Sequence, residues 1–181
     1  MLLQTRANRF AFLVGGLNSI LYAIVGLSLG LYGSFFSALF TSFPLQILTF
    51  IRWNKKSYEH STILKRLSNK ARIVGVAIAT GLWLLLYMIL KNLGSEYALL
   101  DNTATVIGLT GTLLSLFRYI EYSFISVVSC IINLVLYITM LSSIPGQITY
   151  VVYTLYSLVC CIISFRFMTK LYIKQQKELE G

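Results

Sequence analysis

The sequence predicts an all-α integral membrane protein of about six transmembrane helices, built as parallel three-helix-bundle repeats joined by an inverting linker helix, with the first repeat incomplete. Three observations predict this. Apolar runs are long enough to cross a bilayer, basic residues gather in alternate loops, and one stretch of sequence recurs at a fixed offset.

The residue inventory already excludes most alternatives. Of 181 residues, 57% are hydrophobic and 12% charged, against roughly 25% charged in soluble domains. A soluble fold has no interior large enough for so much apolar side chain. The net charge of +9 sits in short segments between apolar runs, as membrane loops do. No basic face with interleaved aromatics is left for nucleic acid, so no nucleic-acid partner is expected. Cys130, Cys160 and Cys161 all fall inside apolar runs and read as small hydrophobes. The one histidine, His60, lies in a loop, so no metal site, disulfide or cofactor is argued from them.

A crossing helix needs roughly 20 mostly apolar residues. Candidate spans run over about 10–31, 34–52, 72–91, 99–117, 120–141 and 147–169. The first carries Gly15, Gly16, Asn18 and Ser19 at its middle and no small-residue cleavage pattern at its end, so it reads as a span rather than a cleaved signal. Turn-forming or charged residues separate the spans, among them Tyr32-Gly33-Ser34, Asn92 to Ser95, Arg118-Tyr119 and Ser142 to Gly146. Threading these spans through a membrane places 14 of the 15 Lys and Arg residues on one side, with only Lys91 on the other. By the positive-inside rule both termini are cytoplasmic and the protein is a multi-pass protein of the cell membrane.

Sliding the chain on itself by 115 residues aligns Asn18, Leu21 and Tyr22 with Asn133, Leu136 and Tyr137. The same shift brings Ile47, Thr49 and Phe50 onto Ile162, Ser164 and Phe165, and Lys55 onto Lys170. The matched spans run the same way, so the repeat is parallel, about an axis along the membrane normal. The organisation is then 1–53 as a two-helix first repeat, 54–71 as a basic cytoplasmic loop and 72–97 as linker helix with outer loop. Residues 98–170 form a three-helix second repeat, and 171–181 a charged cytoplasmic tail. The fourth span has no upstream partner: a symmetric chain would carry one more helix in front. In the basic loop, Ile63, Leu64 and Leu67 share one helical face, which fits either an interfacial helix or a solvated loop.

Polar groups at membrane depth need a reason. Most Ser and Thr hydroxyls bond back to their own helix. Asn18 and Asn133, at equivalent places, either pair across the pseudo-two-fold or line a central site. Gln46 follows Pro44, whose missing N–H frees a backbone carbonyl near an amide. Tyr22, Tyr137, Tyr153 and Tyr156 either stack on a ring-shaped ligand or pack between helices. Asp101 is placed to cap its own helix, and Glu121 to pair with Arg118 at the surface. The candidate ligand-binding residues are Asn18, Tyr22, Gln46, Thr49, Asn102, Thr105, Asn133 and Tyr153. Paired acids, a His cluster or an activated nucleophile inside a span are lacking, so an enzyme is not expected.

Several stretches resemble the PnuC family of vitamin transporters: Gly16 to Ala23, Phe43-Pro44-Leu45-Gln46-Ile47 through Trp53, Lys65 to Ser68, Asp101 to Thr105, and Leu113-Leu114 through Arg118 and Glu121. The resemblance spans nearly the whole chain, and the family's three-one-three layout is similar to that of SWEET sugar transporters. It implies facilitated diffusion of a neutral ring-containing vitamin precursor or nucleoside, foremost nicotinamide riboside, trapped afterwards by a cytoplasmic kinase. Trimers are the expected homo-oligomer of this architecture. Ser123 and Ser126 stand where nicotinamide riboside carriers place tryptophans, and Thr49-Phe50 where they have a Gly-Trp pair. Thiamine and riboflavin carriers of the family, a SWEET-like small-solute carrier and a non-transporting scaffold therefore stay as alternatives.

Overall fold

A computed structural model describes residues 8–55, 57, 58, 61–143, 146 and 148–180. Arg6, Lys56, His60 and the turn residues Ile144 and Pro145 lie outside the described residues. The helices are α1 (Phe10–Ser28), α2 (Tyr32–Phe36), α3 (Phe43–Lys55), α4 (Asn69–Asn92), α5 (Ala98–Leu116), α6 (Glu121–Leu141) and α7 (Ile148–Glu180). A π-helical segment, Ser37–Ser42, joins α2 to α3, so 32–55 is one continuous span. Among the described residues, six helices are thus long and apolar enough to cross a membrane.

The π turn has a local cause. Pro44 has no N–H to give to the carbonyl one turn back, and its ring crowds that turn. The chain relaxes by widening, and the Phe43 N–H reaches Ala38 O, five residues back. The freed backbone does not meet Gln46, as the sequence suggested. Gln46 Nε2 donates instead to Ser19 Oγ on α1, at 3.0 Å. Gly15 permits that approach, since a Cβ there would collide with Gln46 Oε1.

The chain turns from α1 to α2 through Gly30 at φ 68° and from α4 to α5 through Gly94 at φ 74°, backbone that an L side chain adopts only with strain. Arg118 adopts a similar φ of 65° between α5 and α6 without being glycine. Its position is held from outside: Lys65 N donates to Arg118 O at 2.8 Å and Ile120 N to Lys65 O at 2.9 Å.

These bonds belong to a structured linker. Residues 57, 58, 61 and 62 form a two-stranded antiparallel hairpin, β1 (Ser57–Tyr58) with β2 (Ser61–Thr62), and of the two readings of 63–67, an interfacial helix or a solvated loop, the helix does not form. Leu64 turns inward instead, 3% exposed, beside Trp53, Tyr122 and Met168. Its N–H donates to Gln175 Oε1, and Gln175 Nε2 donates to Thr62 O, both at 3.0 Å. Residues 171–180, expected as a charged tail, continue α7 as helix, and Gln175 on it holds the linker. At 33 residues, α7 is roughly 50 Å long, well beyond a hydrocarbon core of about 30 Å.

Glu121 also serves the linker rather than its expected partner. Its Oε1 accepts from Arg72 Nη2 at 2.8 Å and from Leu67 N at 3.1 Å. Arg72, in the first turn of α4 and 49 residues away in sequence, supplies the cation.

Helix α4 is the peripheral element: Leu90 is its one buried residue, and it rests chiefly on α5. Asn102 fixes it there, donating through Nδ2 to Trp83 O at 2.8 Å, while Trp83 Nε1 donates to Thr103 Oγ1 at 3.0 Å. The remaining exposed apolar faces suit lipid.

Candidate functional site

Helices α1, α2–α3, α5, α6 and α7 surround a cavity of about 620 Å³. Its walls follow the internal repeat. Residues 115 apart line it together: Ala11 and Ser126, Gly15 and Cys130, Asn18 and Asn133, Tyr22 and Tyr137, Ser34 and Thr149, Ala38 and Tyr153, Ser42 and Ser157, Gln46 and Cys161. A cavity lined by the same positions of two repeats lies on the axis that relates them. On the second and sixth spans these positions recur every fourth residue, at 34, 38, 42, 46 and at 149, 153, 157, 161. Four residues overrun one α-helical turn, and the π turn offsets that drift in the second span.

The repeats touch on this axis. The Tyr22 and Tyr137 hydroxyls, 115 residues apart, lie 2.9 Å from each other, and Tyr22 donates to Asn133 Oδ1 at 3.3 Å. Both geometries are satisfied when Tyr137 O–H donates to the Tyr22 oxygen. Asn133 Nδ2 in turn donates to Ser129 O at 2.8 Å. Tyr137 stacks on Tyr150, ring centroids 5.5 Å apart. Asn18 and Asn133 therefore do not pair with each other; each faces the cavity, and the cross-repeat contact passes through the tyrosines.

Two apolar clusters bound the cavity. Toward the basic loops, Phe12 and Tyr122 line it and pack on Trp53, with Phe12 and Trp53 rings edge-on at 4.5 Å. Trp53 Nε1 donates to Ser115 O at 2.9 Å, tying the second span to α5. At the other end Leu31, Leu136, Tyr137 and Met140 form the second cluster, against which Tyr22 and Tyr150 pack.

Of the candidate residues, Asn18, Tyr22, Gln46, Thr105, Asn133 and Tyr153 line the cavity. Thr49 and Asn102 do not. Thr49 is wholly buried and donates to Leu45 O on its own helix, at 2.7 Å. Asn102, also 0% exposed, faces α4 as described. Tyr156 is half exposed on the outer face of α7, and Tyr150 takes the stacking place near the axis. The sequence reading missed Ser34, Ser42, Ser157, Cys130 and Cys161. Their signal was the repeat itself, since each is the partner at 115 of another lining residue.

Asp101 stands just behind this wall, fully buried. Its own helix gets no side-chain cap at Tyr97. Asp101 caps the second span instead: Gly33 N donates to Oδ2 at 2.9 Å, and Ser34 N and Ser34 Oγ donate to Oδ1 at 3.0 and 2.5 Å. A helix N-terminus and three donors suit a carboxylate, and a basic partner is not required. Thr105 Oγ1 is close by and, among the described residues, has no hydrogen-bond partner.

The lining holds hydroxyls, amides, thiols and tyrosine rings, and none of its residues is Asp, Glu, Lys or Arg. Such a surface hydrogen-bonds a polar solute and stacks on a ring, and offers no cation to a phosphate.

Comparison with known proteins agrees with this architecture. No curated protein matches the chain. A solved structure, described as the crystal structure of the vitamin B3 transporter PnuC, is similar to it with a TM-score of 0.80 at 21% identity, covering 95% of this chain and 76% of that one. Residues 1–167 match the family described as nicotinamide mononucleotide transporter, and the chain belongs to that family of membrane transporters.

Proposed function

We propose that this chain carries a phosphate-free, ring-containing vitamin or nucleoside through the cavity on its pseudo-two-fold axis, with nicotinamide riboside or a related pyridine nucleoside as first ligand. The observation that carries the reading is the lining: paired amides, hydroxyls and tyrosines from both repeats, without a charged side chain. A mononucleotide phosphate would have to leave water with no Lys or Arg to receive it, at a cost of several kcal/mol. The pyridinium ring of nicotinamide riboside carries a single delocalised positive charge, so "phosphate-free" describes the class better than "neutral". Tyr22, Tyr137, Tyr150 and Tyr153 offer ring faces to such a cation. Thiamine, whose thiazolium ring is also a delocalised cation, is the second reading on the same ground.

In this scheme Asn18, Gln46, Thr105 and Asn133 hydrogen-bond the sugar or amide of the ligand, and movement is by facilitated diffusion with no ion coupling. The basic end of the bundle faces the cytoplasm of a cell-membrane protein, supported by the placement of Lys and Arg residues. A homotrimer belongs to the same proposal, and native mass spectrometry of the detergent-solubilised protein gives its stoichiometry. Uptake of radiolabelled nicotinamide riboside, nicotinamide mononucleotide, thiamine and riboflavin by auxotrophic cells expressing the chain tests the function. The expected result is saturable uptake of nicotinamide riboside over its mononucleotide. Inserted protein that takes up none of the four overturns the proposal.

A further inference from the structure

The contact between the inner helices is close at one level in both repeats, but its chemistry differs. On the first repeat, Gly15 meets the amide of Gln46. At the equivalent positions of the second, Cys130 of α6 meets Cys161 of α7, their sulfurs 3.5 Å apart. Both cysteines are free thiols and both line the cavity. Ser157 Oγ lies 3.8 Å from Cys130 Sγ. Cys160, next in sequence, is buried but not part of the lining. Sulfurs already in van der Waals contact need only side-chain rotation and a small backbone adjustment to reach the bonded distance of about 2.05 Å.

We propose that Cys130 and Cys161 form an oxidisable dithiol in the cavity wall, which a peroxide closes to a disulfide and a thiol reductant reopens, and that closure lowers uptake. Cys130, the less buried of the two, reacts first. Its thiolate attacks a peroxide oxygen; the O–O bond breaks, the sulfur becomes a sulfenic acid, and hydroxide leaves to take up the thiol proton as water. The Cys161 sulfur then attacks the sulfenic sulfur. The S–S bond forms, the S–O bond breaks and a second water leaves. Two thiols and one hydrogen peroxide thus give one disulfide and two waters, with both sulfurs oxidised and the peroxide reduced.

The effect on uptake follows from place, and it rests on the proposed carrier function. Cys130 and Asn133 are three residues apart on α6 and share its inner face. Drawing Cys130 onto Cys161 shifts that face against α7 beside Ser157, changing the shape of the wall the ligand meets. The first repeat, with Gly15 and Gln46, has no equivalent chemistry.

The test uses the full chain with Cys160→Ser, in proteoliposomes, treated with hydrogen peroxide and digested without reductant. The expected product is a peptide pair joined through Cys130 and Cys161, two hydrogens lighter than the sum of its parts and separated by dithiothreitol. Unlinked sulfenic or sulfinic acids alone, or linkage in untouched protein through Cys160, overturns the proposal. Uptake is expected to fall several-fold on oxidation, to recover with reductant, and to resist peroxide in the further variants Cys161→Ser and Cys130→Ala. Linkage that leaves uptake unchanged overturns the regulatory half. Because the cross-link is read by mass, its failure is distinguishable from failure of the carrier function, which shows as absent uptake in the reduced protein.

Discussion

Asn18, Gln46 and Asn133 are polar side chains at membrane depth that line the cavity. Each hydrogen bond to a bound ligand contributes about 1 kcal/mol, roughly fivefold in Kd. Asn18→Ala, Gln46→Ala and Asn133→Ala should therefore weaken ligand binding about fivefold each, with a smaller loss of thermal stability, as isothermal titration and a thermal-shift assay would show. Asn102→Leu is expected to do the opposite. It removes the Asn102 donor to Trp83 O and loosens α4 from α5, so melting falls while affinity stays. Asp101→Asn tests a third role. It removes the charged acceptor from Gly33 and Ser34 and should cost about 2 kcal/mol of stability, the scale of a charge-assisted hydrogen bond. These residues also mark what one sequence hides. A carboxylate at the start of a span looks like that span's own cap, and only folding brings it, from 68 residues away, onto the Gly33 N–H.

Among the elements, the linker between β1 and α4 departs furthest from sequence expectation. Its apolar triad Ile63, Leu64 and Leu67 has helical spacing, but the backbone gains more by bonding to other elements than to itself. Gln175 satisfies Leu64 and Thr62, the 118–120 turn satisfies Lys65, and Glu121 satisfies Leu67. Those partners come from 53 to 113 residues away, beyond the reach of local periodicity. Gln175→Leu removes both bonds at once and should speed hydrogen exchange of the Leu64 amide, measured by mass spectrometry, while amides at the centre of α6 stay protected. Pro44, by contrast, was legible as a break in the second span. The form of the break was not, because a π turn and a kink answer the same missing N–H.

At the scale of the molecule, the six spans and the parallel repeat could be read directly, because bilayer thickness and loop charge impose them on composition and order. The cavity was legible in part. Repeated Asn and Tyr marked its axis, whereas Thr49 and Asn102 share the same residue chemistry and spend it inside the protein. The central claim is that the paired positions of the two repeats form the path of a phosphate-free vitamin. Its most direct measurement is nicotinamide riboside uptake into proteoliposomes holding the wild-type chain, the double variant Asn18→Ala/Asn133→Ala, or Thr49→Val. The account predicts saturable uptake by the wild type, near-complete loss in the double variant with its fold intact, and wild-type behaviour for Thr49→Val. Undiminished uptake by a correctly folded double variant would contradict it.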